Sequence, residues 1–340
     1  MFRVAVTSDF LKPDGSCGFG DIGLELFDQA AVEWEFLREP FAEVPAWVSR
    51  DYDGLLLLGP RYTASSVTDS QRLRIVARFG VGYDNVDVPA CTAAGVLLTI
   101  TPEGVRRPVA AAALTLLLAL SHKLLIKDRL TRDGRWAEKL DYNGQGVTGR
   151  TLGLLGLGNI GAELARIAAP LDLRILAHDP WADPDAAARL GVQLVGLDEL
   201  LEAADYLVVC CALTADTRRL LNAERIALMK PSAYLINVAR GPIVDQAALT
   251  AALQSGRLAG AGLDVFETEP VDPKDPLLQL DNVILAPHAI CWTDECFGAN
   301  GRSAIGSLID VAQGRTPQHI VNRAALEHAR WRTQPHAETA

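Results

Sequence analysis

Short apolar runs recur along the first hundred residues, at Phe2–Thr7, Val32–Leu37, Gly54–Gly59, Ile75–Gly80 and Val96–Ile100, with helix-like patterning between them. Strands that alternate with helices imply a parallel sheet wrapped by helices, because each parallel connection needs a crossover long enough to hold one. Pro102, Gly104 and Pro108 break the rhythm. After the break the pattern predicts an alanine- and leucine-rich helix over Val109–Leu125, then a turn-rich stretch around Asp133, Gly134 and Asn143–Gly149, which reads as a crossing between domains. A second series follows, with six apolar runs at Thr151–Gly156, Arg174–Asp179, Tyr206–Cys211, Ala233–Ala239, Ala261–Phe266 and Asn282–Ala286. Six such runs separated by helical segments suit one doubly wound sheet. A last helix-like segment, roughly Asn300–Gln313, lies beyond the sixth run and can return to the first domain, making that domain discontinuous. Beyond Gly314 the chain is polar and carries Pro317 and Pro335, so disorder is expected near its end.

Composition narrows the class. At 340 residues, with 49% apolar and 22% charged side chains, the chain fits about two ordinary globular domains of roughly 150 residues each. A formal net charge of −10, from 32 Lys and Arg against 42 Asp and Glu, argues against sequence-independent binding to nucleic acid or to anionic membranes. An anionic small substrate would need local cations. The cysteines Cys17, Cys91, Cys210, Cys211, Cys291 and Cys296 form no CxxC pair and share no spacing with histidines. That pattern argues against a zinc site or disulfide framework and points to a reducing cytoplasm. The N-terminus reads as neither a signal nor a transit peptide, and the longest apolar stretch, Val109–Leu120, is too short to span a bilayer and reads as a buried helix.

Gly156-Leu157-Gly158-Asn159-Ile160-Gly161 follows a predicted strand and opens a predicted helix with apolar positions at Ile160, Leu164 and Ile167. GxGxxG therefore stands in its required context: glycines for a tight turn and close backbone approach, and a helix N-terminus whose free N–H groups suit a pyrophosphate. Asp179 closes the next strand 18 residues after Gly161, near the ~20 expected for an acid that hydrogen-bonds an adenosine ribose. A carboxylate there repels a 2′-phosphate, and Pro180 and Trp181 follow with no arginine to receive one, so NAD is preferred over NADP. The plainer alternative, a glycine turn that only packs helix on strand, does not account for the acid.

Three charged or titratable residues sit just past the last three predicted strands: Arg240, Glu269 and His288. Strand carboxyl ends line the ligand crevice of open α/β sheets. An arginine can fork onto a carboxylate, a histidine titrates near neutral pH, and a glutamate beside it favours its protonated form. Together they suit a 2-oxo acid, with Asp264 placed to meet a nicotinamide carboxamide. Singly they have plainer readings: Arg240 and Glu269 as a surface ion pair, His288 as a loop cap.

The strings GLGNIG at Gly156, NVARG at Asn237, LDVFETEP at Leu263, APHA at Ala286 and FGVGYDNVDV at Phe79 resemble the D-isomer-specific 2-hydroxyacid dehydrogenases, which include phosphoglycerate dehydrogenases and glyoxylate–hydroxypyruvate reductases. The resemblance runs from the first strand to about Gly314. It implies two doubly wound parallel-sheet domains, a flavodoxin-like substrate domain of residues 1–104 and 290–320 and an inserted NAD-binding Rossmann domain of residues 105–289, with 321–340 left as a polar tail. It further implies Arg240 on the substrate carboxylate and carbonyl, His288 as acid/base, Glu269 tuning His288, and the Val81 and Gly82 amides on the carboxylate. Gly156, Gly158, Asn159, Ile160, Gly161, Asp179, Thr217, Val238, Ala239, Arg240, Asp264 and His288 would surround the cofactor. Relatives are commonly homodimers joined through the helix after the first crossing and the following arm, which carries Trp136.

The sequence departs from that pattern in places. Val105 stands where many relatives carry asparagine, and Ala111 where a glutamate is usual. Arg106 and Arg107 have two readings: they reach a second anionic group of a phosphorylated or dicarboxylic substrate, or they are exposed helix-start or dimer-anchoring arginines. After His288 the chain reads Ala-Ile-Cys-Trp where glycines are common, so Trp292 either walls the substrate pocket or packs between domains, and Cys291 reads as a liner. A short C-terminus weakens a serine-pathway phosphoglycerate dehydrogenase, and Glu269 disfavours a formate dehydrogenase, which pairs its histidine with glutamine; phosphite oxidation stays open. The rival from another class is a non-enzymatic NAD-sensing corepressor of the same fold.

Overall fold

The computed structural model describes residues 1–68 and 70–332. The chain divides into two compact units, Met1–Val105 with Trp292–Ala340, and Arg106–Cys291.

The first unit holds β1 (Arg3–Val6), β2 (Glu33–Phe36), β3 (Gly54–Leu57), β4 (Ile75–Arg78) and β5 (Leu97–Thr99), each within one of the apolar runs of the sequence. All pairings are parallel and the order is β2-β1-β3-β4-β5, the flavodoxin-like arrangement. Burial follows position: central β3 is buried along its whole length, whereas edge strand β2 alternates exposed glutamates with half-buried Trp34 and Phe36. The helix Asp294–Ala312 covers one face, with Ala304, Ile305, Leu308 and Val311 packed among Val4, Val6, Leu56 and Ile75.

Two expectations change here. The break set at Pro102–Pro108 is instead the first two turns of a helix, Pro102–Ser121. Pro102 takes the first helical position, where a missing N–H costs nothing, and Thr101 Oγ1 bonds Asn300 Oδ1 at 2.5 Å to tie the helix entrance to Asp294–Ala312. The helix stops at Ser121 because Lys123 turns left-handed (φ 51°), and a separate helix, Leu124–Arg132, follows. The stretch read as a polar tail from 321 packs into the first unit over the described residues to 332. Asn322 is buried, accepting the Leu98 amide at 2.8 Å and donating to Val96 O at 2.9 Å, and the Trp331 indole donates to Gly95 O at 2.8 Å. Polar composition there serves buried hydrogen bonds. The expected disorder at the extreme end falls on 333–340, outside the described residues.

The second unit holds β6 (Thr151–Leu155), β7 (Arg174–His178), β8 (Val192–Leu194), β9 (Tyr206–Val209), β10 (Tyr234–Asn237), β11 (Gly260–Leu263) and β12 (Val283–Leu285). The order β12-β11-β10-β9-β6-β7-β8, parallel throughout, is that of a Rossmann sheet with one added strand. Six of these seven strands lie in the predicted runs. The seventh, β8, is an edge strand whose middle residue, Gln193, is exposed, so it forms no apolar run. Helix Pro102–Ser121 is long and apolar enough to cross a membrane, but 67% of that span is buried inside the structure, with Leu116 and Leu120 reaching toward Gly262 on β11. It is a core helix, longer than its apolar segment alone implied.

Glu163, on the helix Asn159–Ala168, ties that helix to the one before it. Its largely sheltered carboxylate accepts from Arg166 Nη2 at 2.7 Å and Arg107 Nη1 at 2.8 Å. Those hydrogen bonds, Arg166's first and Arg107's second, pull its carboxyl from 4.5 to about 2. A carboxyl depressed by folding stabilises the protein above its unfolded value and loses that contribution as pH falls to its folded value. The contribution is therefore complete above about 4.5 and disappears toward about 2. Glu163→Gln is expected to cost roughly 1 kcal/mol near neutrality. Melting curves of both proteins should show the gap in Tm closing in acid; a gap independent of pH would contradict the assignment.

Candidate active site

In a parallel sheet every strand ends at the same edge, so the loops after β6, β7, β9, β10, β11 and β12 gather there although their residues are far apart in sequence. The loop after β6 is GLGNIG. Gly156 has φ +102°, and a Cβ on it would sit 2.7 Å from the Cys211 amide nitrogen; a Cβ on Gly161 would sit 2.4 Å from Gly156 O. Only glycine lets the β6 turn lie this close to the β9 loop and the helix lie this close to the turn. Gly158 caps the helix Asn159–Ala168 and has no side chain to satisfy the first-turn amides, while the space its missing Cβ would occupy is open. Those amides, of Asn159 and Ile160 among them, suit an anionic group such as a pyrophosphate.

Asp179 stands past β7. Its Oδ2 accepts the Leu157 amide at 2.8 Å and its Oδ1 the Trp181 amide at 2.9 Å, so the acid also fixes the glycine loop. The β9 loop is knitted by Thr217, whose hydroxyl donates to Ala212 O at 2.8 Å and accepts the Thr214 amide at 2.7 Å. Cys210 Sγ donates to Gly156 O at 3.1 Å, and burial pushes its thiol far above its ordinary range; Cys211, for the same reason first, is pushed up to about 11. Both are protonated packing groups at neutral pH.

The loop after β10 presents Val238, Ala239 and Arg240. Its shape is set by Asn237, which is buried: Nδ2 donates to Arg240 O at 3.0 Å and Oδ1 accepts the Ala239 amide at 3.0 Å. The sequence reading quoted Asn237 within NVARG and gave it no role; a buried polar residue ending an apolar strand was the available signal. Next to it, a Cβ on Gly241 would lie 1.9 Å from the Phe266 carbonyl, so the backbone carrying Arg240 runs directly against the loop that carries Glu269.

His288 follows β12 with φ +55°, a left-handed conformation unusual for a residue with a side chain. Its Nδ1 lies 2.7 Å from Glu269 Oε2, while Glu269 Oε1 accepts the Phe266 amide at 2.9 Å. Burial alone would raise the Glu269 carboxyl; the hydrogen bonds from His288 and the Phe266 amide, with the charges of His288 and Arg240, outweigh it and hold the group below its ordinary value. Glu269 is thus a carboxylate at neutral pH, and with Nδ1 held on it Nε2 is the ring nitrogen without a protein partner among the described residues. Asp264, past β11, is 4% exposed and spends Oδ1 on the Ala289 and Ile290 amides at 2.8 and 3.0 Å. Burial first of all raises its carboxyl, more than those amides lower it.

Arg240, Glu269, His288 and Asp264 therefore come together with the glycine loop and Asp179 at one sheet edge of the second unit. Val81 and Gly82 belong to the first unit, in the turn after β4, where Gly80 donates to Thr101 Oγ1 at 2.8 Å; among the described residues their own amides bond nothing. Arg107 is paired with Glu163, which favours its structural reading over a second-anion site, and Arg106 is exposed.

Residues 114–289 match the family model described as D-isomer specific 2-hydroxyacid dehydrogenase, NAD binding domain. The chain is 40% identical over 300 residues to a glyoxylate reductase of Thermococcus onnurineus, covering 86% of this chain and 90% of that protein. Among solved structures it resembles the TT0316 protein of Thermus thermophilus, with TM-score 0.83 and 33% identity over 94% of this chain and 100% of that one. A glyoxylate reductase from Paecilomyes thermophila gives TM-score 0.80 and 27% identity, covering 94% and 98%. These relatives favour an enzyme over a non-enzymatic sensor. The chain belongs to the D-isomer-specific 2-hydroxyacid dehydrogenase family, as an oxidoreductase with a Rossmann domain for NAD that interconverts 2-oxo and 2-hydroxy acids.

Proposed function

We propose that this chain reduces small 2-oxo acids to D-2-hydroxy acids in the cytoplasm, glyoxylate being the first substrate to try because two of its relatives bear that activity in their names. The observation that carries the reading is the 2.7 Å contact between Glu269 Oε2 and His288 Nδ1, at the same sheet edge as the glycine loop. NAD, when bound, supplies or accepts the hydride. Gly156, Gly158, Asn159, Ile160 and Gly161 would hold its pyrophosphate, Asp179 its adenosine ribose, and Thr217, Val238, Ala239 and Asp264 would line its remainder. Arg240 binds the substrate carboxylate and draws electron density from the carbonyl oxygen. His288 Nε2 gives a proton to that oxygen during reduction and takes it back during oxidation. Glu269 keeps the ring oriented through its contact with Nδ1.

His288→Ala is expected to lower kcat for glyoxylate reduction by ~10²–10⁴-fold while NADH still binds; near-normal turnover in a folded variant would overturn the assignment. Asp179 should make the enzyme prefer NADH to NADPH, and Asp179→Ser should narrow that preference at least tenfold, roughly the 1–3 kcal/mol of a charged hydrogen-bonding contact. An unchanged coenzyme ratio would remove the ribose role and leave Asp179 as a loop anchor.

We further propose a homodimer. Leu124 and Leu125 on the helix Leu124–Arg132, and Trp136 and Leu140 in the short turn Trp136–Asp141, are 51–74% exposed, an apolar surface that a second copy would cover. Leu124→Asp with Leu140→Asp is expected to halve the mass seen by light scattering; an unaltered mass would place the dimer contact elsewhere.

A further inference from the structure

Three of the loops at the second unit's sheet edge meet on Arg219. The Leu220 amide donates to Thr217 O at 3.1 Å, which ties the segment to the loop after β9. The Arg219 amide donates to Pro242 O at 2.8 Å, the Leu221 amide to Ile243 O at 3.1 Å, and the Asp245 amide returns to Leu221 O at 3.0 Å. The backbone of Arg219, left-handed at φ +51°, is thus laced to the turn that follows Arg240. From this base the guanidinium crosses to the loop after β11. Its Nη2 and Nε lie 2.7 and 3.2 Å from Glu267 Oε1, and its Nη1 lies 3.8 Å from Asp245 Oδ2.

Glu267 directly follows Phe266, and the Phe266 amide is the one that donates to Glu269 Oε1 at 2.9 Å, while Glu269 Oε2 lies 2.7 Å from His288 Nδ1. An unbroken path therefore runs from the guanidinium to the imidazole: Arg219 to Glu267, one residue of chain to Phe266, Phe266 to Glu269, Glu269 to His288. The stretch in the middle is gripped from its other sides too. Gln246 Oε1 accepts the Glu267 amide at 3.0 Å, with Gln246 Nε2 itself donating to Asp275 Oδ2 at 2.6 Å, and a Cβ on Gly241 would collide with the Phe266 carbonyl. Backbone contact blocks the loop from moving toward Arg240; the Glu267 side chain is the handle by which Arg219 holds it.

We infer that Arg219 is a positioning residue for the reaction: through Glu267 and the Phe266 amide it fixes the Glu269 carboxylate, and through that carboxylate the ring of His288. This rests on the reading of Glu269 and His288 as the pair that handles the proton. The ion pair itself, with side chains 59% and 29% exposed, adds little to stability. Its effect on rate is of another size, because a displacement of about 1 Å at a reacting group costs up to ~10²-fold. The two consequences separate a positioning role from a plain surface ion pair that only joins two loops.

The test uses the full chain with NADH and either glyoxylate or pyruvate, and measures kcat, KM, the NADH Kd by fluorescence, and Tm. Arg219→Ala is expected to lower kcat roughly 10-fold while KM and the NADH Kd stay within about threefold and Tm barely moves. Arg219→Lys, which keeps a cation for Glu267 Oε1, should recover most of kcat. Glu267→Gln should reproduce the loss from the other side of the contact, so the outcome does not hang on the folding of one variant. In a Glu269→Gln background, Arg219→Ala should lower kcat by less than about twofold more, because residues that act through one another are not additive. A double variant whose loss is the product of the two single losses, or an Arg219→Ala loss confined to KM or Tm, overturns the inference and leaves Arg219 a tie between loops. Full turnover in Glu269→Gln removes the reading of the pair and this inference with it, as does a parent that reduces neither acid. A Glu269→Gln loss beside an Arg219→Ala kcat within twofold of the parent removes this inference alone.

Discussion

Asp264 carries a carboxylate into the end of β11, where almost none of it meets solvent, and the two amides that compensate it are those of Ala289 and Ile290, directly after His288. Its own amide donates to Asn237 O at the end of β10. One buried residue thus joins three strand ends. His288 needs this, because its left-handed backbone costs roughly 1 kcal/mol or more and persists only where neighbours determine it. The Asp264 acceptor fixes the amides on the far side of that strained residue, and the Glu269 carboxylate fixes its ring. With both in place, neither the backbone nor the imidazole of His288 is free to choose another orientation.

The same economy holds on the nucleotide side of the sheet. Both oxygens of Asp179 receive backbone amides, from Leu157 in the glycine loop and Trp181 in its own turn. The loop after β6 is in addition wedged against Cys211 and the start of its helix at distances that admit no side chain. Loops that bind ligands are usually the mobile parts of a protein. Here main-chain hydrogen bonds and backbone-to-backbone contact make them part of the sheet edge.

What could be read from the sequence follows a physical division. Most strands of a parallel sheet are largely apolar, so eleven of the twelve described strands were visible as runs; β8, an edge strand with its middle residue Gln193 exposed, was not. Prolines mislead when they sit where a helix tolerates them, as Pro102 does. Polar residues mislead when they are buried, as Asn322 is. In the candidate site, Asp179, Arg240, Glu269 and His288 could be picked out because each carries a polar side chain at or just past the end of a predicted strand, and the glycine loop by the spacing of its glycines between strand and helix. Asn237 was harder, because its work is done on the main chain of Ala239 and Arg240. The amides of Phe266, Ala289 and Ile290 could not be read at all: every residue but proline has one, and only the fold says which are aimed at a carboxylate.

The accounting of polar groups around the second unit's sheet edge also decides where a proton can be exchanged. Asp179 is occupied by two amides, Asp264 by two more, and Glu269 by one amide and the imidazole. The thiols of Cys210 and Cys211 are pushed up by burial, the second to about 11, and Cys210 already donates to Gly156 O. A neutral buried thiol is neither a base nor a nucleophile. The Arg240 side chain offers only N–H donors and no acceptor. Among the described residues, the imidazole nitrogen at this edge left without a protein partner is His288 Nε2, since Nδ1 is held by Glu269.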